Sequence, residues 1–318
     1  LRFYLVLEGH IEDVNVSACI SALRRHLEDQ QVELRILGSH PSCLFSNPRL
    51  KTVGIVGGEG RMGKWFGEFF RRAGINVLSA DLNTEVTAQK CVEKADVILI
   101  SVPIGETRGV IEKIAPTMRE GQLLVDNTSV KGAALEAMLK SVPPGVEVLG
   151  MHTIFGPSIV RLEGQNVVLT RTSVSGPLVA ELEALLFKCG ARVVYASPEG
   201  HDRQMAFHQN LEHFTKVVLA EVIRREFKDL RELEKFSSPN SRASLGTMAR
   251  ILNGNTNVLT EIQEYNRAGP ELIRVFTEVA QRIARELVEG RSGEFRASLE
   301  ESVRELDNEA LQKFVHGV

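Results

Sequence analysis

A short apolar run, "TVGIV", passes directly into "GGEGRMG", and this junction constrains the fold more than any other stretch of the chain. Gly58, Gly60 and Gly63 satisfy G-x-G-x-x-G. That spacing suits a strand turning tightly into a helix. The first glycine permits the turn, the second lets a pyrophosphate approach the backbone, and the third lets the helix pack on the strand. The helix that opens near Arg61 then aims its unsatisfied N–H groups at the phosphates. Among 26 glycines such a pattern can arise by chance, so its flanks decide its weight. An amphipathic "KWFGEFFRRAG" follows, and then a second strand, "INVLSAD", which ends on Asp81. A carboxylate about 20 residues beyond the loop accepts from ribose hydroxyls and repels a 2′-phosphate, favouring NAD over NADP. Met62 completes the candidate contacts within the loop, and the basic Arg61 and Lys64 soften the preference. The competing account is a Gly-rich turn in an α/β protein that binds something else.

The pattern of the whole chain agrees with such a site. Strand candidates at Val53–Val56, Asn76–Ala80, Val97–Val102, Leu123–Asp126, Val146–Met151, Val167–Thr170 and Arg192–Ala196 alternate with amphipathic stretches such as "GETRGVIEKIAPTM". Apolar strands separated by helices predict a parallel sheet covered on both faces. From Gly200 onward strand signals give way to helical periodicity. "RQMAFHQNLEHFTKVVLAEVIRREF" and "PELIRVFTEVAQRIARELVEG" carry it, the latter opening on Pro270 and closing on Gly290. Residues 1–50 read strand, helix, strand and linker. Three regions are therefore expected: a small segment over 1–50, a Rossmann-type nucleotide-binding domain over 51–198 and a helical domain over 199–318.

Composition excludes several functions. A net charge of -3 gives no general attraction to nucleic acid or to an anionic membrane. No apolar run approaches the ~20 residues that span a bilayer, and no signal-peptide pattern opens the chain. Position 1 is Leu, so a start upstream is expected. Cys19, Cys43, Cys91 and Cys189 are scattered, which fits a reducing, cytoplasmic setting. His201, His208 and His213 form no H-x-x-x-H or H-E-x-x-H spacing, and no metal is expected.

Candidate chemistry collects at the predicted strand ends, where an open α/β sheet binds its ligands. "SVPI" sets Val102 and Pro103 where a cofactor would cross. "DNTSVK" places Asp126, Asn127, Thr128, Ser129 and Lys131 at the next edge, either to cap the following helix or to face a ligand. "GMHTIFGP" puts His152 at the end of the strand after that. Imidazole accepts a proton near neutral pH, as oxidation of a carbinol requires. Taken locally, His152 reads more readily as a satisfied core residue; its position at the sheet edge favours the functional account. Arg242 and Arg250 fall about two helical turns apart on similar faces, an arrangement suited to a dicarboxylate or to a solvated surface.

In order, "GIVGGEGRMG", "SVPI", "DNTSVK", "GMHTIFGP", "GHDRQMAF" and "SSPNSRASLGTMARIL" resemble the prephenate dehydrogenases, over about residues 52–305. The resemblance implies a nucleotide-binding domain followed by a helical dimerisation domain. It also implies NAD-dependent oxidative decarboxylation of prephenate to 4-hydroxyphenylpyruvate, a step of tyrosine synthesis, by a homodimer. By position, His152 matches the family's catalytic histidine and Ser129 the serine that assists it. Arg250 matches the arginine that grips the ring carboxylate, and Lys131 and Arg242 match further substrate-site residues. The chain departs from the family beside the histidine, with Thr153 and Ile154 for the usual Pro and Met, and Ser158 for an acid. The alternatives are arogenate or 4-amino-4-deoxyprephenate as substrate, or a dinucleotide-binding regulator without turnover. Retention of His152, Ser129 and Arg250 together weighs against the regulator. Residues 1–50 ("EGH", "LGSHP") resemble the second half of the ACT domain of prephenate dehydratases.

Overall fold

The computed structural model describes residues 14–28, 48–227, 229–307, 309 and 311–313. Of the segment resembling half an ACT domain, only its helix, α1 (Val14–Glu28), is among them, and the two flanking strands lie outside the described residues. Next come β1 (Thr52–Val56), α2 (Arg61–Arg72), β2 (Asn76–Ala80), α3 (Ala88–Lys94), β3 (Val97–Ile100) and α4 (Ile104–Ile114). They continue into β4 (Leu123–Asp126), α5 (Gly132–Ser141), β5 (Glu147–Thr153), β6 (Asn166–Arg171), α6 (Pro177–Lys188), β7 (Arg192–Tyr195) and α7 (Pro198–Met205).

The seven strands form one sheet in the order β2-β1-β3-β4-β5-β6-β7. Their sequences are apolar at consecutive positions because both faces are covered. Val53, Ile55, Val97, Leu99, Leu123 and Val125 enter one core with Phe66 and Phe70 of α2. Val56, Ile98, Ile100, Leu124 and Val148 enter the other with Ile111, Leu135 and Met138. β1 lies between β2 and β3, so the winding reverses between β1 and β3 and opens a crevice beyond their carboxyl ends.

The all-parallel expectation fails at one pairing, because β6 runs antiparallel to β5, and β6 and β7 together run opposite to the other five strands. The connection from Thr153 to Asn166 contains no crossover helix, and a strand that returns without one must reverse its direction. Parallel pairing resumes at β7, after α6. Glu147, at the start of β5, satisfies the first turn of α6 by accepting from the backbone N–H groups of Gly176, Leu178 and Val179 (3.0, 3.0 and 2.9 Å).

The remaining helices are α8 (Glu212–Glu226), α9 (Leu230–Lys235), α10 (Pro239–Leu252), α11 (Thr256–Tyr265), α12 (Gly269–Val288) and α13 (Ser292–Glu305). A π-helical turn over Ala206–Leu211 precedes α8. The chain divides into two compact units, one extending to Met205 and including Asn255–Tyr265, the other made of Ala206–Gly254 and the residues from Asn266 onward. The first unit includes α11, whose Glu261 accepts a hydrogen bond from the Ile104 backbone at the start of α4 (2.9 Å). Within the second, Asn266 donates to Asn210 (2.9 Å), and a Cβ on Gly269 would fall 2.5 Å from the Asn210 amide nitrogen. Among the described residues no helix is long and apolar enough to cross a membrane.

Candidate active site

The glycine loop fills the crevice end of β1. The tight turn is made at Gly57, whose φ of +86° favours glycine, and not at Gly58 as the spacing predicts. Gly58 has a different job: a Cβ there would lie 2.1 Å from Ser79 Oγ on β2. Gly63 lets α2 pack on the loop, since its Cβ would meet the Gly57 carbonyl oxygen at 2.2 Å. No side chain caps α2 at Gly60, so its first-turn N–H groups remain available to an anion. Asp81 stands beside the loop and accepts from the Glu59 backbone N–H (3.0 Å). A bare backbone cradle, an uncapped helix start and a carboxylate at the end of β2 fit a dinucleotide.

The other expected cofactor residues divide by environment. Pro103 is exposed at the start of α4, and Val102 packs on the second core. Met62 packs on the first core. Arg61 is exposed, and Lys64 pairs with Glu59 (3.2 Å). Trp65 stacks on Phe69 at 5.5 Å, and its indole N–H donates to the Ile159 carbonyl (2.9 Å), pinning the segment that follows His152 onto α2.

His152 lies near the end of β5 and is 4% exposed. Its Nδ1 lies 2.8 Å from His201 Nε2, and His201 Nδ1 lies 2.8 Å from an Asp202 oxygen. Asp202 also accepts from the Lys131 and Gly132 backbone N–H groups (2.8 and 2.9 Å). Burial pushes the Asp202 carboxyl up, but these hydrogen bonds outweigh it and hold it below the usual carboxylate range. Burial, then His201, then Lys131 hold His152 well below the ordinary histidine range.

The hydrogen bonds constrain the proton positions. An ionised Asp202 only accepts, so His201 Nδ1–H donates to it, and in the tautomer that leaves His201 Nε2 without a proton that nitrogen presents a lone pair. His152 Nδ1–H then donates to that lone pair. The remaining ring nitrogen, His152 Nε2, carries its own lone pair and has no partner among the described residues. In that tautomer His152 is held from behind through Nδ1.

Three expectations at this edge need correction. The start of α5 is capped by Asp202 from α7, not by Asn127, Thr128 or Ser129; Thr128 instead turns back to bond Asp126 (2.7 Å) and the Val130 carbonyl (2.7 Å). Lys131 is not presented to substrate: it is fully buried, its ammonium paired with Asp126 and donating to the Met151 carbonyl (2.8 Å). His152 is held through His201 and not through Ser129, which is half-buried in the turn before α5. Arg242 and Arg250 belong to the second compact unit, both exposed on α10, where the Arg250 guanidinium donates to the Thr247 hydroxyl (3.3 Å).

One departure beside the histidine has a structural reason. Thr153 directs its backbone N–H and its hydroxyl at Asn127 Oδ1 (both 3.4 Å), tying the end of β5 to the turn after β4. Proline has no N–H and would lose one of these contacts. Nothing in the structure explains Ile154. The orienting pair His201–Asp202 was not foreseen from the sequence; the adjacent histidine and acid in "GHDRQMAF" were the available signal.

Fold and site together define a dinucleotide-binding α/β protein with a buried, doubly backed histidine at the sheet edge. Residues 74–195 match the nucleotide-binding domain of prephenate dehydrogenase, and residues 197–301 match its dimerization domain. The chain belongs to the prephenate dehydrogenase family. It is 32% identical to a probable arogenate/prephenate dehydrogenase of Methanocaldococcus jannaschii, over 81% of this chain and 62% of that protein. It is also 32% identical to a T-protein of Haemophilus influenzae, over 64% of this chain and 54% of that one. The chain thus spans less than two thirds of the length of these curated relatives. Among solved structures it shares its fold with prephenate dehydrogenase from A. aeolicus in complex with hydroxyphenyl propionate and NAD+ (TM-score 0.65, 20% identity, 80% of this chain and 97% of that one).

Proposed function

We propose that this chain oxidatively decarboxylates prephenate to 4-hydroxyphenylpyruvate and CO2, using NAD, in tyrosine synthesis. The observation that carries this reading is the buried His152 held through Nδ1 by His201, which is held in turn by Asp202.

Gly58, Gly60, Gly63 and the start of α2 would hold the dinucleotide's pyrophosphate, and Asp81 its ribose, which favours NAD. When bound, the nicotinamide supplies the acceptor for the hydride that leaves the ring carbinol carbon. His152 Nε2 takes the hydroxyl proton as the carbonyl oxygen forms. The bond from the ring to the departing carboxylate breaks, its electron pair enters the ring, and the resulting aromaticity drives loss of CO2. His201 and Asp202 stabilise the imidazolium that this creates, as a carboxylate does behind the histidine of a catalytic triad. On this reading Arg250 and Arg242 bind substrate carboxylates and Ser129 assists at the hydroxyl. The helical unit, which matches a dimerization domain, pairs two copies of the chain.

The experiment is NADH formation on addition of prephenate, arogenate or 4-amino-4-deoxyprephenate, with NAD and NADP compared. Preference for prephenate with NAD supports the reading. A higher kcat/KM for an amino analogue replaces the substrate, and dinucleotide binding without turnover of any of the three supports a regulator.

A further inference from the structure

His152 has a buried ammonium behind it that the proposed chemistry does not use. Lys131 Nζ has no exposed surface and is shared between the Asp126 carboxylate and the carbonyl of Met151, the residue before His152. Burial pushes this ammonium toward neutrality, and Asp126 opposes that. A buried ion pair is rarely more stabilising than apolar side chains of the same volume, so its presence in a sheet core points to a role other than stability. Space has been made for it. The lysine stem passes Gly150, where a Cβ would lie 3.2 Å from Lys131 Cδ, 3.0 Å from Leu135 Cδ1 and 3.2 Å from Thr170 Cβ. The same residue's backbone N–H, with that of Gly132, holds Asp202 at the far end of the histidine relay (2.8 and 2.9 Å).

We propose, resting on the site reading above, that Lys131 is a positioning residue for His152. It fixes both ends of the His152–His201–Asp202 relay, and its charge behind the imidazole keeps that ring in its neutral, proton-accepting form. Among the described residues, the titratable groups around the ring are His201 and Asp202 from α7 and Lys131 from the turn before α5. Asp126, at the end of β4, engages Lys131, and β6 sets the apolar Val168 opposite His152. Of the Asp126–Lys131 pair, it is the lysine whose charge opposes protonation of the ring.

The test follows the ring itself. Protein carrying ¹³C at the histidine Cε1 is titrated by NMR as wild type, Lys131→Met, and the double variant Asp126→Asn with Lys131→Met, with His152→Asn assigning the signal. The double variant removes both charges and leaves neither buried alone. The expected result is a higher titration point for His152 in both variants, by about one pH unit in Lys131→Met, the size of effect a nearby like charge produces. The acid limb of kcat/KM moves up with it. A wild-type ring that stays neutral until the fold is lost, with titration appearing in the variants, is the same result. An unshifted His152 titration in the folded double variant overturns the proposal. The NMR measurement needs no substrate. A chain that oxidises none of the three compounds but shows the shift therefore refutes the proposed function and keeps the positioning role.

Discussion

His152 Nδ1 lies 2.8 Å from His201 Nε2, so the tautomer of the first ring is set by the second. Asp202, 2.8 Å from His201 Nδ1, sets that one in turn. In Asp202→Asn an amide N–H can face His201 Nδ1 only by replacing the oxygen that also accepts from the Lys131 N–H, leaving the other oxygen for Gly132. With the amide so placed both tautomers invert and a proton sits on His152 Nε2, where the lone pair is needed. Steady-state kinetics should show kcat lower by about 10³-fold or more, with KM little changed, as for the equivalent change behind a triad histidine. A comparable loss confined to KM would contradict the tautomer assignment.

The pH dependence follows from the depressed His152. The neutral ring is the active base, so activity is retained as pH falls below the ordinary histidine value of about 6.5 and is lost only at the lower folded-state value. Stability has the same sign. Below about pH 6.5 the unfolded chain takes up a proton that the folded chain does not, so this contribution is complete above that pH and declines by up to ~1.4 kcal/mol per pH unit beneath it. Denaturant titrations of wild type and His152→Asn between about pH 7 and 5, the window spanning that value, check this: the variant should lose less stability over that range.

Gly58 and Ser79 form a pair that separates packing from ligand binding. Gly58→Ala drives a methyl to 2.1 Å from Ser79 Oγ. It should destabilise the fold by about 1–3 kcal/mol, the usual cost of overpacking, and weaken dinucleotide binding. Adding Ser79→Ala removes the nearest clashing atom and should restore part of the thermal stability. Additive losses in the double-variant cycle would show that the clash is not the cause.

Asp81 governs cofactor choice through charge. Asp81→Ala removes the repulsion toward a 2′-phosphate and should lower the ratio of kcat/KM for NAD over NADP by at least about 10-fold, a change of about 1.4 kcal/mol. Initial-rate measurements with both cofactors check it, and an unchanged ratio would place the discrimination elsewhere.

The strands were legible because burial on both faces leaves uninterrupted apolar runs; Asn76–Ala80 and Leu123–Asp126 have the bounds their sequences predict. The reversal of β6 was not, since it depends on a connection that lacks a helix and not on any residue within the strand. The glycine loop could be located, but φ assigns the turn to Gly57, one residue before the motif's first glycine. His152 could be placed at the sheet edge, whereas its partner His201 comes from α7, and spacing along the chain does not report such a contact. Lys131 misled because a lysine is usually exposed, and here Gly150 leaves the room that lets it be buried.

The most direct test of the central claim is turnover by His152→Asn at saturating NAD and prephenate. With His152 as the proton acceptor, this variant binds the dinucleotide with wild-type affinity and loses about 10²- to 10⁴-fold in kcat, the range set by removal of a general base. Turnover at the wild-type rate would contradict it.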